Sequence, residues 1–463
     1  MLQINNQLRP ADLRKKIERL WELSASKILA LDLADASHHG PAPVFTVQGK
    51  YTSRGWTDWT LGFAYGSALL QYDAFWDETF LNIGRERTLE RMAPYVTHFG
   101  SHDHGFNNIS TYGHLWRLAN DGRLKVDAGE RGQYELALKC SGAVQAQRWT
   151  HISNGEGFIH SFNGPHSLFA DTMRSLRSLA MAHQLGHVVM VERDEKISLL
   201  RRLVEHARTT AKWSIYYGTG RDSYDTRGRV AQESLFNVAD GSYRSPSTQQ
   251  GYSPFTTDMR ALAWVILGFT EQLEFLATLP DADFERIGGR EAVDAVLLNA
   301  ARATCDYYIE QTPTDGIPYW DSGAPGLRYL DGYLDRPADP FNNCEPVDSS
   351  AAAIAAQGLL RLGNLLTTRG QFADADRYWQ AGLTVLHTLF DEPYLSSDPR
   401  HQGLILHSVY HRPAGWDHIP ADRRIPCGEA SIWGDYHARE VALYLQRVYE
   451  EKPYLTFFGS GSV

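Results

Sequence analysis

Cysteine is scarce in this chain, and its positions argue against two kinds of site. The four cysteines among 463 residues, Cys140, Cys305, Cys344 and Cys427, lie far apart and form no Cys-x-x-Cys pair. This spacing fits reduced thiols better than a disulfide framework or a zinc site built from thiolates. The chemistry of the protein therefore has to be sought in other residue types.

Long apolar runs and basic clusters are also missing. No window approaches 18 uninterrupted apolar residues, and the N-terminus lacks a basic start followed by an apolar stretch. Lysine and arginine are scattered, and the net charge of -10 argues against a nucleic-acid backbone as a partner. The sequence thus predicts a soluble cytoplasmic protein that binds neither nucleic acid nor membrane. It leaves the oligomeric state open.

Histidine is plentiful, with 18 residues, so a metal site has to be considered. The segment from His98 to His104 is dense in possible ligands, but it lacks the His-Glu-x-x-His spacing of helical zinc sites. We therefore predict that the protein uses no metal and no cofactor.

Helical periodicity dominates the chain, and loops rich in Gly, Pro, Asp and Trp separate the helical segments. The predicted helices span 12–30, 60–73, 76–96, 107–120, 132–147, 168–184, 194–217, 258–277, 290–311, 349–366, 371–389 and 429–449. This pattern favours an all-α toroid of paired helices whose loops meet at one end, although a bundle or a superhelix stays open. Because no linker is visible, we predict one domain over 1–463, with 1–50 as a divergent N-terminal helical region.

Two aspartates stand in distinctive surroundings. Asp103 lies in the segment 102–106, and Asp171 adjoins an apolar stripe that includes Leu168, Thr172 and Leu176. A carboxyl group beside such a stripe is expected to be partly shielded from water, which suits a proton donor. The pair fits acid/base work on a sugar. The alternative is that Asp103 caps a loop and Asp171 is an N-terminal helix charge.

Aromatic residues make up 12% of the chain, and many lie in the predicted loops. Flat rings suit the apolar face of a pyranose, whose hydroxyls then bond to neighbouring polar groups. In the helix predicted from residue 258, Arg260 and Trp264 are four residues apart and share one face, so they could present a charged fork and a stacking ring to one ligand. Loop aromatics could instead only plug the end of the toroid.

Five short motifs stand out along the chain: Asp58-Trp59-Thr60-x-Gly62-Phe63, His102-Asp103-x-Gly105-Phe106, Asp315-Gly316-Ile317-Pro318-Tyr319-Trp320-Asp321, Asp348-Ser349-Ser350-Ala351-Ala352 and Ser431-Ile432-Trp433-Gly434-Asp435-Tyr436. In their order they resemble glycoside hydrolase family 88, the unsaturated glucuronyl hydrolases, and the likeness runs from about residue 50 to residue 450. The resemblance implies an (α/α)6 barrel. It also implies a glycosidase that removes an unsaturated uronic acid from the non-reducing end of oligosaccharides produced by polysaccharide lyases.

The resemblance further implies an unusual reaction. A 4,5-unsaturated uronosyl unit is an enol ether, so an acid can protonate C4 while water adds at C5, and the hemiketal then opens and releases the glycosidic bond. By resemblance Asp171 acts first as the acid and then as the base, while Asp103 positions water or ring hydroxyls. Ordinary glycosidases instead direct their two carboxyl groups at the leaving oxygen and at C1 or its water.

The substrate-binding residues implied by the resemblance include three departures from the family. The expected set is Trp59, His102, Phe162, Gln232, Gln249, Gln250, Arg260 and Trp264. Among these, Gln232 and Gln249 stand where the family has histidines, and Phe162 stands where the family can have tryptophan. An amide keeps hydrogen-bonding capacity but does not titrate, which could change the accepted sugar or the reaction. Asp258, often uncharged in the family, has no clear purpose beyond helix capping.

Several other functions stay open at this point. The same scaffold could act on a saturated glycoside or uronide, by hydrolysis or elimination. A sugar epimerase would be expected to rely on a pair of histidines, against which Gln232 and Gln249 argue. A carbohydrate-binding protein without catalysis would not need both Asp103 and Asp171.

Overall fold

The computed structural model describes residues 1–36, 42–53 and 58–459, with only the backbone of residues 35, 36 and 58. Part of the predicted N-terminal region, 37–41, and the side chain of Asp58 in the first motif therefore lie outside the description. Within these ranges the α-helices are α1 (Arg14–Ala36), α2 (Leu61–Phe75), α3 (Glu78–Arg91), α4 (Ala93–Val96), α5 (His104–Asn107), α6 (His114–Asn120), α7 (Ala128–Gln147), α8 (Thr172–Ser175), α9 (Arg177–Gln184), α10 (Leu199–Trp213), α11 (Met259–Ala277), α12 (Arg290–Gln311), α13 (Ser349–Thr368), α14 (Phe372–Leu389) and α15 (Ile432–Tyr449).

The helices form two concentric rings. The inner ring runs from α2 through α5 and α6, α8 and α9, α11 and α13 to α15, and α15 packs back on α2 to close it. Helices α1, α3, α7, α10, α12 and α14 pack outside these inner segments. Burial explains the division, since α11 and α13 are buried on nearly every side while α10 buries one face only. The predicted toroid is therefore confirmed as an (α/α)6 barrel.

Each hairpin consists of an outer helix followed by an inner helix, so all inner helices begin at the same end of the barrel. The segments that lead into them are long, for example 148–171, 214–258 and 390–431, whereas the turn between α13 and α14 spans only 369–371. The long segments gather at one end, which we call the loop end. A site built by these loops would lie over the N-termini of the inner helices.

Polar residues of the motifs cap the inner helices at the loop end. Asp258 accepts from the Ala261 amide at 2.7 Å at the start of α11. Asp348 caps α13 and Ser431 caps α15 in the same way. Such caps satisfy amides that the first helical turn leaves unpaired. The capping role expected for Asp258 is therefore confirmed.

Short strands lie in the connections between helices. They are β1 (Phe45–Val47), β2 (Lys50–Thr52), β3 (Trp149–His151), β4 (Gly157–Ile159), β5 (Ser167–Phe169), β6 (Val189–Met190), β7 (Lys196–Ile197), β8 (Glu233–Phe236) and β9 (Tyr243–Ser247). Most of them lie at the loop end, whereas β6 and β7 lie at the opposite end. All pairings are antiparallel: β1 with β2, β3 with β4, β6 with β7, and β8 between β5 and β9.

Several helix predictions have wrong boundaries, and two of them are informative. The helix predicted over 168–184 begins after Asp171, because Leu168 and Phe169 pair with β8 and Leu168 packs on Phe236. The helix predicted over 76–96 begins only at Glu78, because Trp76 takes a left-handed conformation with φ 63° and ends α2, and it is divided at Met92 into α3 and α4. In both places the apolar residues serve a tertiary contact that local periodicity does not reveal.

Buried ion pairs hold the middle of the barrel together. Arg174 of α8 contacts Glu440 of α15 at 2.6 Å and Glu271 of α11 at 2.7 Å, and the three side chains are almost fully buried. Removing one partner of such a group would leave an uncompensated buried charge, so the pairs fix how these helices sit relative to one another. No helix within the described ranges is long and apolar enough to cross a membrane.

Candidate active site

A pocket lies at the loop end, over the start of the inner helices. Its lining comes from segments far apart in the chain: Trp59, His102, Asp103, Phe106, Phe162, Phe169, Asp171, Gln250, Arg260, Trp264 and Tyr410. Both predicted catalytic aspartates and six of the eight predicted binding residues are thus brought together. The closed barrel produces this convergence, because the loops that supply the lining are separated in sequence by whole helices.

Asp103 and Asp171 both approach one nitrogen of the His102 imidazole. His102 Nε2 is 3.2 Å from Asp171 Oδ1 and 3.6 Å from Asp103 Oδ1. The His102 side chain is 2% exposed, while those of Asp103 and Asp171 are 13% and 17% exposed. The two carboxylates are therefore accessible to a small ligand, and the histidine that joins them is almost fully enclosed.

Burial and neighbouring charges shift the titration of this group. Burial, the largest effect, raises the pKa of Asp103; a charge on His102 opposes this rise and the charge on Asp171 adds to it. Burial acts to lower the pKa of His102, but the charges of Asp103 and Asp171 outweigh it, so the pKa of His102 is raised. Protons can therefore be held within the group at a less acidic pH than a free aspartate would allow.

The backbone around the aspartates is held by buried polar contacts. The Ser175 hydroxyl donates to the His102 carbonyl at 2.7 Å and accepts from the Gly105 amide at 2.8 Å. Gln145 also donates to the His102 carbonyl, at 2.9 Å. A Cβ at Gly105 would lie 2.4 Å from the Ser175 carbonyl oxygen, so the close approach of the two segments requires glycine. This explains the glycine two residues after Asp103 in the motif.

Aromatic rings form the walls of the pocket. Phe106 lies between Trp59 and Trp264, with ring centroids at 5.7 Å and 4.8 Å. On the other side Phe162 stacks on His102 at 6.0 Å. Trp59 is half-buried, whereas Trp264 is 3% exposed and packs within the core. The walls suit a flat apolar ligand face, with Trp59 the more accessible of the two tryptophans.

Arg260 lines the pocket, but several of its donors are bound within the protein. Its guanidinium donates to the carbonyls of Val409 and Tyr410 at 2.6 Å and 2.7 Å and to the Gln250 side chain at 2.8 Å. An ion pair with Asp348 at 3.5 Å adds to these contacts. Arg260 therefore fixes two other parts of the pocket, in addition to any contact with a ligand.

Gln232 and Gln249 are not among the residues that line the pocket. Gln232 is 4% exposed, and its side-chain oxygen accepts from the Gln249 amide at 2.7 Å and from the Thr248 hydroxyl at 3.2 Å. These contacts tie β8 to the loop that carries Gln250. The sugar contacts expected for these two glutamines stay a prediction, and the structure gives Gln232 a supporting position.

Two residues of the lining were not singled out from the sequence. Phe169 lies two residues before Asp171 in a short strand whose residues are all buried, so no alternation of exposed and buried residues identifies it. Tyr410 offers no local signal, because only the fold brings the 390–431 loop to the pocket. Its hydroxyl is 3.4 Å from Trp59 Nε1, and burial raises its pKa to about 12.

No cluster of three or more potential metal ligands occurs among the residues that the structure describes. In the histidine-rich segment, His104 Nδ1 is 3.0 Å from the Ser141 hydroxyl and Nε2 is 2.8 Å from the His98 carbonyl oxygen. Burial lowers the pKa of His104 to about 4. Both ring nitrogens of His104 are therefore engaged in hydrogen-bond contacts within the protein.

Comparison with curated proteins finds relatives of one activity, although no family model matches the chain. The unsaturated glucuronyl hydrolase of Bacillus sp. (strain GL1) is 26% identical over 440 residues, covering 92% of this chain and 97% of the relative. The unsaturated chondroitin disaccharide hydrolase of Streptococcus pneumoniae is 23% identical, covering 90% of this chain and 88% of the relative.

Solved structures give the same result for the fold. The unsaturated glucuronyl hydrolase of Bacillus sp. GL1 superposes with a TM-score of 0.67 at 21% identity, covering 92% of this chain and 97% of that one. An unsaturated glucuronyl hydrolase specific for heparin gives a TM-score of 0.70 at 18% identity, covering 96% of this chain and 100% of that one. Along almost its whole length, this chain is thus similar in sequence and fold to the unsaturated glucuronyl hydrolases, and the resemblance predicted from its motifs is confirmed.

Proposed function

We propose that this protein is a glycoside hydrolase that removes an unsaturated uronic acid from the non-reducing end of lyase-generated oligosaccharides. The observation that carries the proposal is the pair Asp103 and Asp171, joined by His102 at the base of an aromatic pocket. The relatives support it, since they are unsaturated glucuronyl and unsaturated chondroitin disaccharide hydrolases. A related streptococcal enzyme was solved in complex with dGlcA-GalNAc6S.

In the proposed reaction Asp171 is the acid and then the base. Its carboxyl group donates a proton to C4 of the unsaturated sugar, and water adds to C5. The carboxylate takes the proton that the water loses, so the acid is restored. The C5 hemiketal opens to a ketone, the ring oxygen becomes a hydroxyl on C1, and C1 expels the remaining oligosaccharide. General acid/base help of this kind is typically worth about 10² to 10⁴ in rate.

His102 and Asp103 prepare this step. His102 holds the Asp171 carboxyl from 3.2 Å and is itself too buried to touch much of a ligand. Asp103, which accepts a hydrogen bond from Ser101, is open to the pocket and positions water or a ring hydroxyl. The raised pKa of Asp103 allows it to share a proton with its neighbours while Asp171 changes charge.

The sugar ring is held by the walls of the pocket. Trp59 offers the accessible stacking face, and Trp264 supports Phe106 from behind. Gln250 offers its amide nitrogen to sugar oxygens, because its oxygen is bound by Arg260. Arg260 thus orients the amide that meets the ligand and also contributes positive charge beside a carboxylated sugar.

Hydrolysis of a saturated glycoside is the second candidate. Asp103 with a raised pKa beside a second carboxyl group is the combination that an ordinary glycosidase uses. Glutamines at 232 and 249 in place of histidines would fit a changed sugar. They also argue against an epimerase, which would be expected to need a histidine pair for proton transfer.

Incubation with disaccharides and oligosaccharides from several polysaccharide lyases tests the proposal. Consumption of the conjugated double bond removes its ultraviolet absorbance, so we expect the absorbance to decay as product forms. Release of a saturated sugar from another glycoside, with no decay on any lyase product, would favour the second candidate. The single domain over 1–463, the cytoplasmic location and the absence of a cofactor stay predictions.

A further inference from the structure

Six of the nine large aromatic side chains that are exposed among the described residues lie in the segments of the loop end, whereas Phe75, Trp76 and Phe372 lie at the opposite end. The six are Phe99, Tyr224, Tyr252, Phe255, Tyr329 and Phe341. Exposed apolar rings cost free energy in water, so a group of them at the mouth of a pocket marks a contact surface. Under the proposed function the terminal sugar occupies the pocket, so the remainder of an oligosaccharide has to leave it on the side of the loop end, which we call the rim.

Tyr224 and Phe255 form a pair on the rim. Their ring centroids are 5.0 Å apart with an interplanar angle of 30°, and the side chains are 57% and 41% exposed. Tyr252, 51% exposed, lies in the same loop as Phe255. The hydroxyls of Tyr224 and Tyr252 bond to no residue that the structure describes. The pair therefore offers flat apolar area, and the tyrosines offer free hydroxyls beside it, as carbohydrate recognition requires.

The backbone under the pair is fixed before any ligand arrives. The Tyr224 amide donates to the Asp222 side chain at 2.8 Å, and the Phe255 amide donates to the Ser253 hydroxyl at 3.1 Å. Each ring thus follows a turn that a side chain stabilises two residues earlier.

A buried arginine joins the two turns. Arg229 donates to Asp222 at 2.7 Å and to the Pro254 carbonyl at 3.3 Å. Its side chain is 3% exposed, and it lies over the Tyr216 ring at 3.5 Å. One buried side chain therefore links the 222–224 and 253–255 segments, which lowers the ordering cost of binding there.

The pair lies within chain reach of the catalytic pocket. Gln250 lines the pocket and precedes Phe255 by five residues, which limits their separation to about 18 Å. Between them, the Tyr252 amide donates to Asp321 at 2.8 Å, which holds this part of the loop against the barrel. A chain whose terminal sugar occupies the pocket can reach the pair with its following sugars.

We propose that Tyr224 and Phe255, with Tyr252 beside them, form an outer subsite that stacks an internal sugar of the oligosaccharide. The proposal rests on the proposed function for the identity of the chain that it binds. It makes the protein selective for oligosaccharides longer than a disaccharide.

The test compares chain lengths in the double variant Tyr224→Ala/Phe255→Ala. For the parent, we expect a lower KM for an unsaturated tetrasaccharide than for the disaccharide from the same lyase. In the variant, kcat/KM for the tetrasaccharide should fall about twofold to tenfold through KM, because an aromatic contact is lost. The disaccharide should be turned over as by the parent. Phe255→Trp, which keeps a stacking ring, should retain the tetrasaccharide preference.

Phe372→Ala is the matched control, since Phe372 is 67% exposed at the opposite end of the barrel. Equal losses for both lengths, or no loss for the tetrasaccharide, would overturn the outer subsite. Calorimetric binding of a saturated tetrasaccharide of the same backbone separates this failure from that of the proposed function. If the parent turns over no lyase product, weaker binding by the double variant still supports the subsite. Equal binding, or no binding by the parent, overturns it.

Discussion

Two carboxylates around one imidazole determine what the pocket can do. Asp103 and Asp171 both reach His102 Nε2, and neither has an arginine or lysine ion pair among the described residues. A structural aspartate in this fold looks different: Asp73, for example, is fully buried and pairs with Arg117, Arg123 and Arg447. The pair at the pocket is therefore available for proton transfer.

Replacement of Asp171 by asparagine removes the proposed proton donor and acceptor while keeping its volume. We expect kcat on the unsaturated disaccharide to fall by about 10² or more, with binding largely kept. Asp127→Asn is a suitable control, because Asp127 caps α7 away from the loop end and asparagine is an equally good cap. Activity of Asp171→Asn within a few-fold of the parent would remove Asp171 from its proposed role.

Arg260→Lys tests the guanidinium that joins Gln250 to the backbone of Val409 and Tyr410. Lysine keeps the charge but loses the planar fork of the guanidinium. We therefore expect kcat/KM to fall, by an amount that corresponds to a loss of about 1–3 kcal/mol of transition-state stabilisation. Arg201→Lys, in an exposed pair with Glu205, should leave kinetics unchanged. If Arg260→Lys also moves the acid limb of the pH–rate profile by more than about one unit, then Arg260 tunes the acid and does not only bind.

Sequence patterns could identify the chemistry of the pocket residues but only part of their arrangement. Four residues that stand in distinctive sequence surroundings also line the pocket: Trp59, Asp103, Asp171 and Arg260. Tyr410 could not be found, because nothing in its neighbourhood indicates that a loop from α14 to α15 returns to the pocket.

At the scale of secondary structure, the motifs serve the barrel as much as the pocket. Ser431 accepts from the Gly434 amide at 3.2 Å and is 2.6 Å from the Ser408 hydroxyl. Ser408 precedes the residues whose carbonyls bind Arg260. A helix cap therefore also anchors a wall of the active site.

Ser431→Ala and Ser198→Ala separate these two roles. Ser198 caps the outer helix α10 by accepting from the Arg201 amide at 3.2 Å. Each change should lower the free energy of unfolding in urea by about 1 kcal/mol. Only Ser431→Ala should also lower kcat/KM, because the 408–410 segment loses an anchor. Equal kinetic effects of the two changes would show that the cap and the pocket are not connected.

Helix prediction succeeded where tertiary contacts agree with local periodicity. The helix predicted over 290–311 matches α12 (Arg290–Gln311), whose apolar positions face the inner ring. It failed at 168–171, where β5 pairs with β8 more than sixty residues away. Local patterns cannot distinguish a short strand with a distant partner from the first turn of a helix.

On the scale of the whole molecule, buried histidines make stability depend on pH. Burial, the largest effect for each, lowers the pKa to about 4 for His104 and His407 and to about 3 for His114, His206 and His437. Unfolding restores an ordinary pKa near 6.5, so the unfolded chain binds more protons below that pH. The stabilisation they give is complete at pH 7 and is lost as the pH falls, by up to about 2 kcal/mol each at pH 5.

Four buried acids act in the opposite direction. Burial raises the pKa of Asp315, Asp321 and Asp348 to about 6 and that of Glu274 to about 7. In the folded protein these acids bind protons more readily than in the unfolded chain. Lowering the pH from 7 to 5 therefore raises the free energy of unfolding by about 1 to 2 kcal/mol for each acid. Burial also raises the pKa of Asp103, Asp258 and Asp417, and it lowers the pKa of His160 and His411 to about 4. Compared group by group, the histidine losses are the larger. We therefore expect the thermal midpoint to be lower at pH 5 than at pH 7.

His206→Gln checks the origin of this slope. His206 accepts from the Ile159 amide at 3.0 Å, and a glutamine oxygen can replace that acceptor without titrating. The variant should show a smaller difference in thermal midpoint between pH 7 and pH 5 than the parent. An unchanged difference would mean that the histidines do not control acid stability.

The central claim is that the enzyme hydrates a double bond, and solvent deuterium tests it most directly. A lyase-generated disaccharide is turned over in D2O, and the released sugar is followed by nuclear magnetic resonance. Protonation by Asp171 predicts deuterium on one face of C4 of the newly formed product, together with loss of the double bond, and predicts that Asp171→Asn slows both by about 10² or more. A released sugar that keeps its double bond and carries no deuterium at C4 would contradict the account, since cleavage would then have occurred at C1.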